Sequence, residues 1–169
     1  VVKQNPDIVL LGGDKFDDKI PDENTELFLA GIAGKYPCYY VTGNHEYWSR
    51  RVDEMLDTLR KYNVTILDGK SETVEVNNQK ISISGIDDPD ANLYTGKGEG
   101  FYAQLDEISQ IKDDSLFTIL LAHRPSYVNK YLDYNFDLVL TGHAHGGQWR
   151  IPFLLNGVFA PDEGFFPKY

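Results

Sequence analysis

The sequence predicts an α/β fold whose working residues sit on loops at the C-terminal ends of strands, and three observations carry that prediction. Short apolar runs, of the kind that strands buried on both faces need, alternate with segments whose apolar residues fall at helical spacing. Several runs end in glycine-flanked polar loops, at the edge where open α/β sheets bind ligands. All 4 histidines of the 169-residue chain lie in or beside such loops.

Taken in order, residues 7–11 read as a buried strand closed by Gly12-Gly13. Residues 22–35 read as a helix through Leu27, Phe28, Ala30 and Ile32. Residues 37–41 give a second strand, ending at Thr42-Gly43. Ser49 is placed to cap a helix over residues 50–62, with Val52, Met55, Leu56 and Leu59 on one face. The period then shortens. Residues 64–67, 73–76 and 80–84 read as strands, the last two joined by an Asn77-Asn78 hairpin turn. Residues 87–99 form a polar loop, residues 101–111 a helix, and residues 116–121 and 137–141 two further strands. There is no internal repeat, low-complexity tract or linker.

Length predicts one domain over residues 1–169, large enough to bury a core. Net charge is −10, which lowers the expectation of a nucleic-acid partner. The single cysteine, Cys38, lies in a strand-like run and reads as a small core hydrophobe. No apolar run is long enough to span a membrane, and none of the 169 residues reads as part of a signal peptide. The chain opens Val1-Val2 rather than with Met, so localisation stays open: cytoplasmic, or membrane-peripheral if an upstream segment carries targeting information.

The histidines occur as Gly43-Asn44-His45-Glu46, Ala122-His123-Arg124-Pro125 and Gly142-His143-Ala144-His145-Gly146, with Gly13-Asp14-Lys15-Phe16-Asp17 upstream. In an extended segment, residues i and i+2 point to the same side, so His143 and His145 could face two neighbouring ions across small Ala144. Asp14 offers a carboxylate able to bridge two cations, Asn44 a carbonyl oxygen and His123 another ring nitrogen. This mixed set suits Mn, Fe, Co, Ni or Zn better than Ca or Mg. Two such ions ~3.5–4 Å apart can activate water and hold both apical oxygens of a phosphoryl displacement.

His45, next to Asn44, is placed to protonate a leaving oxygen. Glu46 either holds that ring in one tautomer or is a solvated loop carboxylate. Asp17 either orients groups around Asp14 or is an N-cap or turn residue. Arg124 either approaches a phosphate or sits in a salt bridge. Tyr94 and Lys97, in the 87–99 loop, are candidates for a rim over the site, with an ordinary surface loop as the alternative.

In this order the motifs resemble those of the calcineurin-like metallophosphoesterases, which run Asp-x-His, Gly-Asp-x-x-Asp, Gly-Asn-His-Glu/Asp, a single His, and Gly-His-x-His. All but the first are present, and the resemblance spans nearly the whole chain. The stretch from Ala160 to Tyr169 resembles a tail seen in a bacterial branch of predicted phosphohydrolases. The resemblance implies a four-layer α/β/β/α sandwich of two mixed sheets with two divalent transition-metal ions at the strand C-termini. Asp14 would bridge them, Asn44, His123 and His143 would complete one ion, and His145 would serve the other. His45 would assist the leaving group while a metal-activated hydroxide attacks phosphorus.

No Asp-x-His occurs in the 169 residues. The expectation is therefore a domain truncated at both ends, with residues 1–6 as the tail of an upstream helix and one metal site short of ligands. The function expected is hydrolysis of a phosphomonoester or phosphodiester. The alternatives are a non-catalytic binding scaffold of the same fold and, less favoured by the charge, a nuclease.

Overall fold

The alternation of side chains along each strand decides the layering. In the computed structural model, residues 1–96, 100–149, 151, 153, 154, 157–160, 162 and 164–167 are described. The elements are β1 (Val9–Gly12), α1 (Glu23–Ile32), β2 (Cys38–Val41), α2 (Asn44–Trp48), α3 (Val52–Lys61), β3 (Val64–Ile66), β4 (Lys70–Val76) and β5 (Gln79–Gly85). They continue as α4 (Ala91–Thr95), α5 (Phe101–Ile111), β6 (Phe117–Leu121), α6 (Val128–Tyr131), β7 (Leu138–Leu140), β8 (Phe159–Ala160) and β9 (Gly164–Phe165). Residues 2–4 form a short 3-10 turn where the end of a helix was expected.

One sheet has the order β1-β2-β3 and is parallel throughout. The second, β4-β5-β6-β7, is mixed: β4 and β5 form an antiparallel hairpin, while β5, β6 and β7 run parallel. Asn77 and Asn78 turn that hairpin with φ of 51° and 62°, the left-handed pair that a tight two-residue turn demands. Strands β8 and β9 make a separate small ribbon near the end of the chain.

Three buried clusters fill the spaces between four layers. Val9 and Leu11 of β1 and Cys38 and Tyr40 of β2 meet Leu29 and Ile32 of α1 and Met55 and Leu59 of α3. Leu10, Tyr39 and Val41 of the same strands, with Ile8 just before β1, turn the other way and meet Val74, Ile83, Leu121 and Leu140 of the second sheet. Leu120 and Ala122 then face Phe101, Leu105 and Ile108 of α5 and Tyr131 of α6. The result is the α/β/β/α order expected, with Cys38 buried as a core residue.

Two local expectations are corrected. Helix α3 begins at Val52 with Arg51 as its N-cap; Ser49 accepts the Arg51 amide through Oγ at 2.9 Å instead of capping the helix. The 87–99 stretch is not loop throughout, because it holds α4. Lys97 lies outside the described residues; Tyr94 lines a cavity with Tyr47, Val52 and Leu56. No helix among the described residues is long and apolar enough to cross a membrane.

Candidate metal centre

Four parallel strands, β1, β2, β6 and β7, release their chains toward one place. Asp14 follows β1, Asn44 follows β2, His123 follows β6 and His143 follows β7. Gly13 sits in left-handed backbone at φ 86°, and a Cβ there would lie 2.5 Å from His123 Nδ1 and 2.9 Å from the Gly43 backbone. Glycine is therefore what allows the loops after β1, β2 and β6 to touch.

His123 fixes the chemistry of the cluster. Its Nδ1 lies 2.7 Å from the Gly12 carbonyl, which can only accept, so Nδ1 carries the proton. Nε2 is then a lone pair when the ring is neutral and a donor to Asp14 when it is charged. Around it lie Asp14 Oδ2 at 3.0 Å, Asn44 Oδ1 at 3.2 Å and His143 Nδ1 at 3.2 Å. Asp162 Oδ2, 3.2 Å from His143 Nε2, can accept a hydrogen bond from that nitrogen, which leaves Nδ1 bare as well. With both rings neutral, carboxylate, amide oxygen and two imidazole nitrogens point lone pairs at one spot, an arrangement that a bound cation satisfies. Asp14, His123 and His143 meet the geometry of a metal-holding group. The donor set fits a divalent transition metal.

The titration behaviour agrees. Burial opposes charge on Asp14 most strongly, but the hydrogen bond to His123, the charge of that ring and the His45 amide together outweigh it and hold the carboxyl below its usual range. Burial likewise opposes a charged His123, while Asp14 draws the ring toward protonation. A cation would take the place of that proton. His143 is pushed down to about 4 by burial, by Arg124 and by His123, so it is neutral at pH 7 as a ligand must be.

Arg124 is buried beside this cluster and is held by carboxylates on three sides. Its Nε and Nη2 donate to Asp88 at 2.8 and 3.2 Å, Asp90 Oδ2 lies 3.2 Å from Nη2, and Asp162 pairs with Nη1. Of the two roles weighed for Arg124, the salt bridge is the one observed.

His45 lies on the opposite flank. Its Nδ1 is 2.7 Å from Asp18 Oδ1 and 3.9 Å from Asp17 Oδ2. Its ring packs 5.0 Å from Trp48, whose indole N–H donates to Asp90 at 2.7 Å. A recess lined by Asp14, Lys15, Asp17, Asn24, Thr25, His45 and His145 opens there.

Glu46 does not hold the His45 ring; Asp18 does. The Glu46 carboxylate is fully buried and accepts the amides of Asp14, Lys15, Phe16 and Gly43 at 3.1, 2.8, 3.0 and 2.7 Å. Nor is it a solvated loop acid. An acid–base role has no support in this geometry, since the side chain is consumed by backbone donors.

A model of the calcineurin-like phosphoesterase family matches residues 1–147. The chain belongs to that family. It is 37% identical over 156 residues to an uncharacterized metallophosphoesterase, Cj0846, of Campylobacter jejuni, covering 89% of this chain and 38% of the relative. It is 29% identical over 166 residues to the phosphodiesterase YaeI of Escherichia coli, covering 96% of this chain and 57% of YaeI. The chain thus spans roughly two-fifths to just over half the length of these curated relatives. Among solved structures it resembles the NAD nucleotidase NadN of Haemophilus influenzae, with a TM-score of 0.60 at 18% identity, over 94% of this chain and 34% of that one; at that identity the likeness concerns the fold.

The family motifs meet in space with one exception. Asp14, Asn44, His123 and His143 converge, whereas His145 is exposed and stands apart from that group. It lines two recesses, each of which also has Asp14 in its wall. The expected extended backbone is corrected here: His143 and His145 have φ of 59° and 50°, and residues 145–147 form a 3-10 turn. One histidine is therefore buried and the other turned outward. Asp17 is a turn residue whose Oδ1 accepts the Lys19 and Ile20 amides at 2.7 and 2.9 Å. Asp18, Asp88 and Asp162 were not singled out from the sequence. Asp18 adjoins a recognised motif, but the partners of Asp88 and Asp162 are remote in the chain and left no local signal.

Proposed function

We propose that this chain carries the phosphoester-hydrolysing centre of a metal-dependent phosphoesterase. The observation that supports it most directly is the convergence of Asp14, Asn44 and His143 on His123 Nε2. On this reading those four residues hold one divalent ion, of the Mn, Fe, Zn, Co or Ni class. Asp14 and His145 offer ligands to a second. No Asp-x-His occurs in the chain, so the second ion has fewer ligands here than the family pattern supplies.

Bound ions would lower the pKa of a water and neutralise charge on the phosphoryl oxygens. The chain's own groups divide the remaining work. Asp14 and the three neutral ligands fix where the phosphorus can sit. His45, with Nδ1 held by Asp18, presents Nε2 as the group that hands a proton to the departing oxygen. Trp48 packs against that ring and limits its swing. Phosphodiesters are the first substrates to try, because the Escherichia coli relative bears the name phosphodiesterase.

The test is equilibrium Mn²⁺ binding by the demetallated chain, followed by turnover of bis(4-nitrophenyl) phosphate and of 4-nitrophenyl phosphate. The expected result is Mn²⁺ bound, with diester turnover that His45→Ala lowers by about 10²–10⁴-fold while Mn²⁺ still binds. A chain that binds no Mn²⁺, or a His45→Ala variant with undiminished turnover, overturns the reading.

A further inference from the structure

We infer that Glu46 is a positioning residue, a buried carboxylate clasp that locks the loop after β1 to the start of α2 and thereby sets where the Asp14 carboxylate stands. The inference rests on the reading of Asp14 as a metal ligand and goes beyond it, because it concerns a side chain that would touch neither ion nor substrate.

The geometry is that of an anion in a cradle of amides. Glu46 Oε1 accepts from Lys15 and Phe16, and Oε2 accepts from Asp14 and Gly43. Three consecutive N–H groups from one loop converge on a single carboxylate, the arrangement by which successive backbone amides bind anions elsewhere. The fourth, from Gly43, comes from the residue preceding α2, so an N3 glutamate also satisfies an amide that the helix leaves free. No cation pairs with Glu46 among the described residues; charge-assisted bonds to amides carry the burial instead.

The consequence falls on Asp14. Its backbone is left-handed, with φ 50°, a conformation that persists only where the surroundings over-determine it. The Asp14 amide is held by Glu46 Oε2 at 3.1 Å, and the Asp14 side chain accepts the His45 amide through Oδ1 at 3.1 Å. The strained residue is thus pinned at both ends by residues of one short helix. The free Oδ2 is left facing His123. Releasing the clasp lets the loop relax toward right-handed backbone and swings Oδ2 out of the cluster.

Glu46→Gln keeps the shape but turns an NH₂ toward two backbone N–H groups, so two of the four bonds are lost. Supporting groups of this kind typically contribute 10–100-fold to metal affinity. The experiment is Mn²⁺ titration calorimetry on demetallated wild-type and Glu46→Gln chains, with circular dichroism to establish that the variant is folded. In parallel, hydrogen exchange follows the Asp14, Lys15, Phe16 and Gly43 amides of the metal-free wild type. The expected results are a weakening of Mn²⁺ binding by about 10–100-fold in the folded variant, and slow exchange at all four wild-type amides.

Unchanged Mn²⁺ affinity in folded Glu46→Gln, or fast exchange of those amides, overturns the clasp. Turnover lost with Mn²⁺ affinity intact would return Glu46 to an acid–base role. If the wild type binds no Mn²⁺ yet the four amides are protected, the clasp stands and the reading of Asp14 as a ligand fails. If Glu46→Gln does not fold, the exchange data on the wild type decide.

Discussion

Asp14, His143 and His145 share an uncommon property: each has a side chain and each holds left-handed backbone, at φ 50°, 59° and 50°. Such residues cost about 1–3 kcal/mol apiece and gather where function needs a side chain aimed in a direction regular structure does not allow. Gly13, at φ 86°, makes room beside Asp14 for the His123 ring and the Gly43 backbone. Alanine at this position would combine that strain with a Cβ against His123 Nδ1 and the Gly43 backbone. Gly34, at φ 72° with open space around it, supplies the control for strain alone. We expect Gly34→Ala to cost about 1 kcal/mol and Gly13→Ala distinctly more, with loss of Mn²⁺ binding only in the latter. Urea denaturation and Mn²⁺ titration of the two variants check this. Equal losses at both positions would mean that the contact with His123 contributes nothing.

At the scale of elements, the parallel strands that carry the site are short and depend on bonds at their ends. The three-residue strand β7 is anchored by Asp137, whose Oδ2 accepts the Thr118 amide and hydroxyl at 2.7 and 2.8 Å. Those bonds favour the charged form and hold the Asp137 carboxyl below its usual range. A carboxyl depressed in the fold stabilises it above the unfolded-state pKa, and this contribution is lost as pH falls through the folded-state value. Wild type should therefore exceed Asp137→Asn in urea stability at pH 7, and the gap should close between about pH 4 and the acid limit. A gap constant with pH would assign the loss to shape rather than charge. Strand and helix positions were legible because β1, β2, β6, α3 and α5 carry plain apolar patterns. Helix α2 was not: it has five residues, too few to show a period, and its start is set by Glu46 reaching back to Gly43. Likewise, glycines flanking His143 and His145 announced a turn without revealing that the histidines themselves take the left-handed backbone.

Across the whole molecule, the four ligand candidates come from both sheets. Asp14 and Asn44 follow strands of the first, and His123 and His143 follow strands of the second. The sequence made the layers readable, since strands apolar on both faces must lie between other layers. It could not show that the motifs would bridge the seam between the sheets, which depends on how Ile83, Leu121 and Val41 pack in the middle core. An ion held there would cross-link the two halves and stabilise the native state by mass action. At a hundredfold excess over its Kd this amounts to about 2.7 kcal/mol, or a Tm rise of roughly 5–10 °C for a domain of this size. Mn²⁺ added to the demetallated chain should produce that rise in a thermal melt. Asn44→Ala, which removes a ligand from the first sheet's side, and His143→Ala, which removes one from the second's, should each abolish most of it. Leu93→Ala, on an exposed side chain of α4, should leave it intact. If the rise survives both ligand substitutions, the stabilising ion sits elsewhere. The group formed by Asp17, Asp18 and His45 is then the place to look, because it is the other set among the described residues whose donor atoms converge closely enough to hold a cation.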